Sequence, residues 1–490
     1  MIHPTTASDL SACLFRLFSS GRARWANSSR LRLLAFAVVC WLLLTLNFGL
    51  NLFSMANSVW FELHQRDSEC LVVARLVADR SGAAGSHAGL LGQYTNATIL
   101  RKRDRVDTQY RLYTGLETGL SNFTFSPYTH QVGFQAVLLG VADRSVDSAL
   151  AHAVSWHIAR PKYFVKIQEN KVILLQLIVS ALNAAIFSAL LCWFHLEFGS
   201  KTGWILLPLT LLSPWITIFG RNLYWIIGSW YLPMVAAALL CRWLGCGSAS
   251  VLRQMLLLCL LAFTMAAGVL LKSTMGYEFL SAVVLAQMTI LVYYAKLWKW
   301  SWLRLLVSLL VSGLASLAGF GAALLIHYQK LLLMAGGNTT LAIQSLTTFV
   351  SDRAIGDASS RAAEYGGEVS GNPVFVILKY VFGVWNLFPP FFLFLLPAAW
   401  VGVRVLRKTS LLPEGLQPLA WAYLFSLSAP LSWFVAARGH SMVHTHINYV
   451  LWHLPTMFFA LTLLVQWSLL HYTLHWKIIR TSPAPPRQRG

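Results

Sequence analysis

Long apolar stretches separated by shorter polar segments dominate the 490 residues of this chain. A membrane-spanning helix needs about 20 consecutive, predominantly apolar residues to cross the hydrocarbon core of a bilayer. The pattern predicts about ten such helices, at roughly residues 33–54, 172–196, 203–219, 223–241, 254–271, 276–295, 303–327, 375–403, 418–437 and 447–470. The expected fold class is therefore an all-α polytopic membrane protein.

The polar segments between these helices define the expected domain organisation. Two of them are long, and the first is large enough to be a domain. Within it, Leu71, Ala74 and Ala78 have the i, i+3, i+7 spacing of a short amphipathic helix lying on the membrane surface, and Val132 to Ile158 predicts a further helix. The regions are a basic N-terminus (1–32), the first spanning helix (33–54), a loop domain (55–171), spanning helices two to seven (172–327), a second loop (328–374), the last three helices (375–470) and a tail (471–490).

The charges are distributed unequally between the two sides of this arrangement. Only Asp9, Glu197 and Glu414 of the 18 acids fall on the side of the N-terminus, whereas that side carries 18 of the 38 Lys and Arg residues. Short cytoplasmic segments are enriched in Lys and Arg. We therefore expect both termini in the cytoplasm, both long loops outside it, and the chemistry of the protein on the outer face.

Composition supports membrane insertion and argues against other classes. A chain with 57% hydrophobic and 11% charged residues is not typical of a soluble domain. The net charge of +20 is explained by topology and by attraction to anionic lipid headgroups, so no nucleic-acid partner is expected. Of the seven cysteines only Cys70 falls outside, which argues against a disulfide framework in the loops.

Asp67 and Glu69 are the candidate catalytic residues, because they follow the first helix closely and so lie at the outer membrane surface. A carboxylate at that height can act as a general base on an acceptor hydroxyl while a lipid-borne donor lies alongside. The same two acids could simply complement the dipole at a helix N-terminus. Both interpretations remain open on the sequence alone.

Several cations at the expected outer face could bind the phosphate of such a donor, since Arg and protonated His suit phosphate oxygens. Glu278 is either the partner of Lys272 or an acid pointing into the bundle, and His446 lies off the face that His440 and His444 share at i, i+4. Interfacial anchoring is the alternative role for the cations. The candidate phosphate-binding residues are Arg221, Lys272, Arg438, His440 and His444.

No cofactor is expected. The three histidines leave a divalent metal open as an alternative, but their spacing matches no closed zinc site.

Asp67, Ser68 and Glu69, followed by Val73 to Val77, resemble the acidic motif of the GT-C glycosyltransferase superfamily, as found in bacterial lipid-A aminoarabinose and protein mannosyl transferases. The order of a first helix, a large outer loop with surface helices and an acid soon after that helix is similar as well. In the family pattern the two acids are adjacent, whereas Ser68 separates them here. Either acid is therefore the candidate base.

The resemblance implies an inverting transfer of sugar from a polyprenyl-phosphate donor to a glycan, lipid or protein acceptor outside the cytoplasm, in a bacterial inner membrane. The partners would be that donor, its acceptor and membrane lipids. An enzyme similar to O-antigen ligases or polymerases is an alternative, but such enzymes have their main outer loop late in the chain. A transporter of a lipid-linked or small polar substrate is another, although the spans contain few charged residues.

Overall fold

Helices account for 83% of the computed structural model, which confirms the mostly helical fold. It describes residues 27–83, 86–97, 99, 101–117, 119–155, 170–244, 251–354, 373–382, 392–407, 416–443 and 445–481. Among these, six helices are long and apolar enough to cross a membrane, or seven if one bent pair is a single span. Three further apolar helices are shorter. This set is compatible with a multi-pass membrane protein.

The helix bundle begins with α1 (Asn27–Leu50) and resumes after the first long loop. Its other helices are α5 (Lys171–Phe198), α6 (Ser200–Leu211), α7 (Pro214–Gly220), α8 (Gly228–Leu244), α9 (Val251–Met275), α10 (Leu280–Leu297), α11 (Trp302–Met334), α12 (Thr339–Ala354), α13 (Pro373–Phe382), α14 (Phe392–Leu406), α15 (Gln417–Ser426), α16 (Ser428–Ala436), α17 (Arg438–Val443), α18 (Thr445–Asn448) and α19 (Thr456–Thr481). A 3₁₀ turn, Tyr449–His453, precedes α19.

Several predicted boundaries were wrong, each for a local reason. The first helix ends at Leu50 rather than at 54, because Asn51 has a left-handed backbone (φ 52°) and its side chain bonds both backbone groups of Ala56. The fourth begins at Gly228 rather than at 223. There the Asn222 side chain accepts from two backbone N–H groups, those of Tyr224 and Trp225, and holds a turn.

Three further boundaries differ. The span predicted at 303–327 continues as α11 to Met334. The one predicted at 447–470 is divided, because α18 ends at Asn448, a 3₁₀ turn follows, and α19 begins at Thr456. The span predicted at 375–403 corresponds to α13 and α14, and residues 383–391 between them lie outside the described part of the chain.

The helices α6 and α7 are a bent pair, either a broken span or a re-entrant loop, with an angle of 71° between them. Pro214 begins α7, and the Ser213 side chain caps it by accepting from the backbone N–H of Ile216 at 3.2 Å. At the break, Asn47 of α1 donates to the Leu211 carbonyl at 2.9 Å. A side chain from a neighbouring helix thus satisfies a backbone group that the bend releases, as is required in an apolar environment.

A stripe of small residues lets α11 pack closely against α9. Ser308, Ser312, Ser316 and Ala323 are buried on one side of α11. Gly319 lies on the same side, and a Cβ there would come within 2.2 Å of the Ala266 carbonyl oxygen. Membrane helices commonly associate through such small residues. The opposite side of α11 exposes large apolar side chains, including Leu306, Leu310, Leu314 and Leu317.

The first long loop folds into a small domain whose apolar core continues into the start of α5, where Val172, Leu175 and Val179 belong to the same cluster. It contains a π-helical turn (Val59–His64), α2 (Arg66–Ser81), a 3₁₀ turn (Ser86–Ala88), β1 (Gly92–Thr95), α3 (Lys102–Thr114), another 3₁₀ turn (Leu120–Asn122), β2 (Thr124–Pro127) and α4 (Phe134–Ser155). The strands pair antiparallel, with Tyr94 opposite Phe125. This two-stranded sheet was not predicted from the sequence.

The helix predicted around Leu71 to Ala78 exists as α2, but it does not lie alone on a membrane surface. Val72, Val73 and Leu76 are buried in the loop core together with Tyr94 and Phe125. The helix predicted from Val132 corresponds to α4, which is described as far as Ser155.

Side chains of α11 anchor the loop domain to one end of the helix bundle. We call this end of the bundle the loop face. Lys330 of α11 donates to the carbonyl oxygens of Gly89 and Val132, at 2.7 and 3.0 Å. His327 lies 3.0 Å from the Thr129 carbonyl oxygen through Nε2 and 3.1 Å from the Tyr277 hydroxyl through Nδ1.

A closed charge network makes a second junction, between the loop and the start of α5. The buried Lys171 ammonium contacts Asp143 at 2.7 Å and Asp147 at 2.5 Å. Arg80 contacts the same two acids, at 2.5 and 3.3 Å. The Tyr113 hydroxyl also donates to Asp143. These two cations and two anions, called the closed network below, neutralise one another.

Candidate functional site

A cavity of about 650 Å³ opens at the loop face between the π-helical turn, α3 and the start of α5. Charged side chains line much of it. The apolar part of its lining includes Leu116 and Ile173, which are 61% and 48% exposed. The charged lining residues are Glu62, Arg66, Asp107, Arg111 and Arg221.

Arg221 is the cation of this cavity that was predicted from the sequence. It follows α7 directly, and its guanidinium donates to the Phe61 carbonyl oxygen at 2.5 Å while lying 3.6 Å above the Phe61 ring centroid. Burial lowers the pKa of Arg221, and the charges of Glu69 and Glu62 oppose that shift. Within the described part of the chain, no carboxylate lies within 4 Å of the guanidinium. The position of Arg221 is therefore fixed while its charge is not neutralised by a direct ion pair.

Glu69 lies behind the wall of the cavity and is fully buried. Its carboxylate accepts the backbone N–H of Leu223 at 2.9 Å, the Gln176 amide at 3.0 Å and the Tyr110 hydroxyl at 3.3 Å. Burial raises the pKa of Glu69, and these hydrogen bonds, together with Arg221, partly oppose it. Since Tyr110 and Gln176 line the cavity, Glu69 positions its wall.

Asp67 is exposed on the first turn of α2 and does not line the cavity. The acids that do are Glu62 and Asp107. Asp107 pairs with Arg66 at 3.4 Å, whereas Glu62 is exposed in the π-helical turn. Single π-helical turns are often found at functional sites.

Sequence reasoning missed four of the five charged lining residues. A signal was present, since Glu62 with Arg66 and Asp107 with Arg111 are i, i+4 pairs of opposite charge. Nothing in the sequence, however, showed that the two pairs line the same cavity, with Arg66 of one pair in contact with Asp107 of the other.

Lys272, Glu278 and His440 belong to a second polar cluster at the junction of α9, α10 and the loop. Lys272 is 2% exposed and donates to the Gly276 carbonyl oxygen at 2.5 Å. Glu278 is 3% exposed. Gly276 has φ 153°, and a Cβ there would lie 2.6 Å from the Glu278 carboxylate and 3.0 Å from the Gln131 amide. Only glycine therefore fits between these two side chains.

Aromatic rings connect His440 to this second cluster. The His440 ring centroid lies 6.3 Å from that of Phe279 and 5.8 Å from that of Trp433. Phe279 in turn contacts Trp230, whose ring centroid is 5.9 Å from the Lys272 ammonium. None of these residues lines the cavity that contains Arg221.

The structure thus divides the predicted phosphate-binding set. Arg221 lines the cavity, Lys272 and His440 lie in the second cluster, and Arg438 is exposed at the start of α17. His444 lies outside the described residues, and for His446 only the backbone is described, in α18. Among the described residues there is no group of three or more His, Cys, Asp or Glu side chains that could hold a metal ion.

Comparison of the chain with protein-family models, with curated proteins and with solved structures found no match.

Proposed function

We propose that this protein is a membrane glycosyltransferase of the GT-C type, which uses a polyprenyl-phosphate sugar in the cavity at the loop face. One observation carries the proposal. The Arg221 guanidinium lines a cavity without a carboxylate within 4 Å among the described residues, and Glu62 lines the same cavity. A fixed cation beside an exposed carboxylate suits a reaction in which a phosphate leaves and a hydroxyl loses its proton.

In the proposed reaction the acceptor hydroxyl attacks the anomeric carbon of the sugar. The new bond forms between the acceptor oxygen and that carbon, while the bond from the carbon to the phosphate oxygen breaks. The lipid phosphate leaves with the bonding electron pair, and the acceptor proton passes to Glu62. Arg221 stabilises the phosphate dianion as its charge develops.

The lining of the cavity also fits a lipid donor. Leu116 and Ile173 are exposed apolar side chains of that lining, and Ile173 belongs to a helix long and apolar enough to span a membrane. A polyprenyl chain could lie along them in the bilayer while its phosphate lies near Arg221. Glu69 keeps a positioning role through Tyr110 and Gln176.

The catalytic assignment therefore moves from Asp67 and Glu69 to Glu62. Purified protein in lipid nanodiscs, incubated with radiolabelled polyprenyl-phosphate sugars, should transfer or hydrolyse the sugar. Glu62→Gln should lower that rate about 10²-fold or more, the usual contribution of a positioned base. Asp67→Asn is the matched control, since Asp67 is an exposed acid five positions later, and it should retain the wild-type rate.

Loss of activity in Asp67→Asn together with full activity in Glu62→Gln would return the base to α2. Donor binding without transfer or hydrolysis would instead favour a transporter. Transfer of a preassembled glycan from a lipid pyrophosphate, but not from a monophosphate, would favour an enzyme similar to O-antigen ligases.

A further inference from the structure

We infer that a groove at the end of the bundle opposite the loop face binds an anionic membrane phospholipid. The groove has a volume of about 320 Å³ and lies between the starts of α9 and α11. Its position follows from helix direction, because His327 and Lys330 near the end of α11 contact the loop domain. The inference requires membrane insertion but is independent of the proposed enzymatic activity.

The walls of the groove are suited to acyl chains. Met255, Leu303 and Val307 line it and are 61%, 71% and 40% exposed, so the groove opens sideways from the bundle. Leu257 and Leu261 also line it and are buried. An apolar groove between two helices that are apolar enough to span a membrane would open onto lipid.

Positively charged side chains lie around this groove and therefore favour a lipid with an anionic headgroup. Arg304 lines the groove, with its guanidinium 4.0 Å above the Trp300 ring. Arg253 precedes the lining residue Gln254, and Lys299 is exposed in the turn before α11. The sequence contains no Asp or Glu between Glu197 and Glu278, nor from there to Asp352. Among the described residues, Arg253, Lys299 and Arg304 make no ion pair, and Glu197 pairs with Arg242 instead.

In the part of the chain that the structure describes, Arg253, next to the groove, has a guanidinium N–H group that is free to bind a ligand. Arg253 donates through Nη2 to the Trp243 carbonyl oxygen at 2.9 Å, while its buried Nε has no hydrogen-bond partner among the described residues. A phosphate group can accept from two guanidinium nitrogens at once. A phospholipid would fill both parts of the site, whereas a free phosphate would leave the apolar groove without an occupant.

The test compares phosphatidylglycerol with phosphatidylcholine of the same acyl chains, titrated onto the purified full chain in detergent and followed by native mass spectrometry. We expect phosphatidylglycerol to bind more tightly, and Arg304→Gln to weaken that binding about fivefold, the effect of about 1 kcal/mol for one basic residue near an anionic surface. Arg404→Gln is the matched control, because Arg404 likewise lies over an indole ring, that of Trp400, on α14.

A second variant tests the apolar wall of the groove. Its result can be interpreted even if Arg304→Gln does not fold. Val307→Trp places a large side chain in the groove from an exposed position, and it should weaken binding of phosphatidylglycerol while Arg304 is retained. Equal binding of the two lipids by the wild type would overturn the inference. So would equal losses in Arg304→Gln and Arg404→Gln, or unchanged binding in Val307→Trp. Competition by inorganic phosphate at the same affinity would show that the site is for a soluble anion.

Discussion

Two charged regions of the loop domain use the same residue types in opposite ways. In the closed network, Lys171 and Arg80 face Asp143 and Asp147, and each cation contacts both acids within 3.3 Å. In the cavity, Arg221 has no such pair among the described residues, and hydrogen bonds to backbone carbonyls hold it instead. Both regions adjoin the first turns of α5.

The comparison separates structural from functional charge. A buried ion pair that loses one partner leaves an uncompensated charge, so the closed network should be sensitive to substitution and indifferent to ligand. A cation held by backbone carbonyls can be removed at a smaller cost in stability, but its removal takes away a ligand contact. Variants in the two regions should therefore affect different measurements.

The largest effect is expected in the closed network. Lys171→Met removes a fully buried ammonium, and we expect a loss of about 3–5 kcal/mol in stability, the scale for breaking a buried pair. Thermal unfolding of the purified protein measures this loss. Arg66→Met is the control, because its pair with Asp107 is 35% and 47% exposed and should contribute at most about 1 kcal/mol. Equal destabilisation by both variants would remove the distinction between the two regions.

The next effect concerns binding. Arg221→Gln should weaken affinity for a polyprenyl phosphate by about 1.5–3 kcal/mol, the scale for a hydrogen bond to a charged group. Arg221→Lys should restore part of it, because an ammonium retains the charge but not the two-pronged geometry. Radiolabelled lipid phosphate retained by the protein measures both. Full affinity in Arg221→Gln would mean that Arg221 is an interfacial anchor.

How much of this could be predicted from the sequence depends on the range of the interactions. The long helices and the position of Arg221 at a turn follow from local apolar periodicity. Glu69 was predicted from the sequence as an acid close to the outer membrane surface. Its burial was not foreseen, because it depends on the backbone of Leu223 and the amide of Gln176, more than 100 residues away.

The small sheet was missed for a similar reason. Its strands, Gly92–Thr95 and Thr124–Pro127, have four residues each and are separated by α3. The Gln109 side chain bonds both backbone groups of Tyr94, at 2.8 Å each, and so fixes β1 from outside the strand pair. Neither strand is long enough to show an alternating pattern by itself.

A smaller, pH-dependent effect should come from Glu69, whose pKa is raised above its ordinary value of 4.5 by burial. A raised pKa means that the folded state holds the proton more tightly than the unfolded state. The stabilisation that Glu69 contributes is therefore full below about pH 4.5, the pKa of the unfolded state. It is lost as the pH rises through the higher pKa of Glu69 in the folded state. Unfolding midpoints measured from pH 4 to pH 8 should fall less steeply in Glu69→Gln than in the wild type. Parallel profiles would show that Glu69 does not titrate in this range.

The smallest effect is expected at the wall of the cavity. Tyr110→Phe removes a hydroxyl that donates to Glu69 at 3.3 Å. This substitution should lower the free energy of unfolding by about 0.5–1.5 kcal/mol, the usual net contribution of one hydrogen bond. The same substitution should also lower the affinity for the lipid donor, because Tyr110 lines the cavity. Tyr113→Phe, whose hydroxyl donates to Asp143 in the closed network, should change unfolding alone. A loss of donor affinity in Tyr113→Phe as well would show that the two regions are coupled.

The central claim is that the cavity beside Arg221 holds the phosphate of a lipid donor. Photo-crosslinking tests it most directly, with a polyprenyl phosphate that carries a diazirine in the first isoprene unit and with mass spectrometry of the labelled peptides. The account predicts labels at the start of α5, around Ile173, and in the turn that contains Glu62, both suppressed by Arg221→Gln. Labels confined to the second cluster, around Trp433 and His440, and unaffected by Arg221→Gln would contradict it.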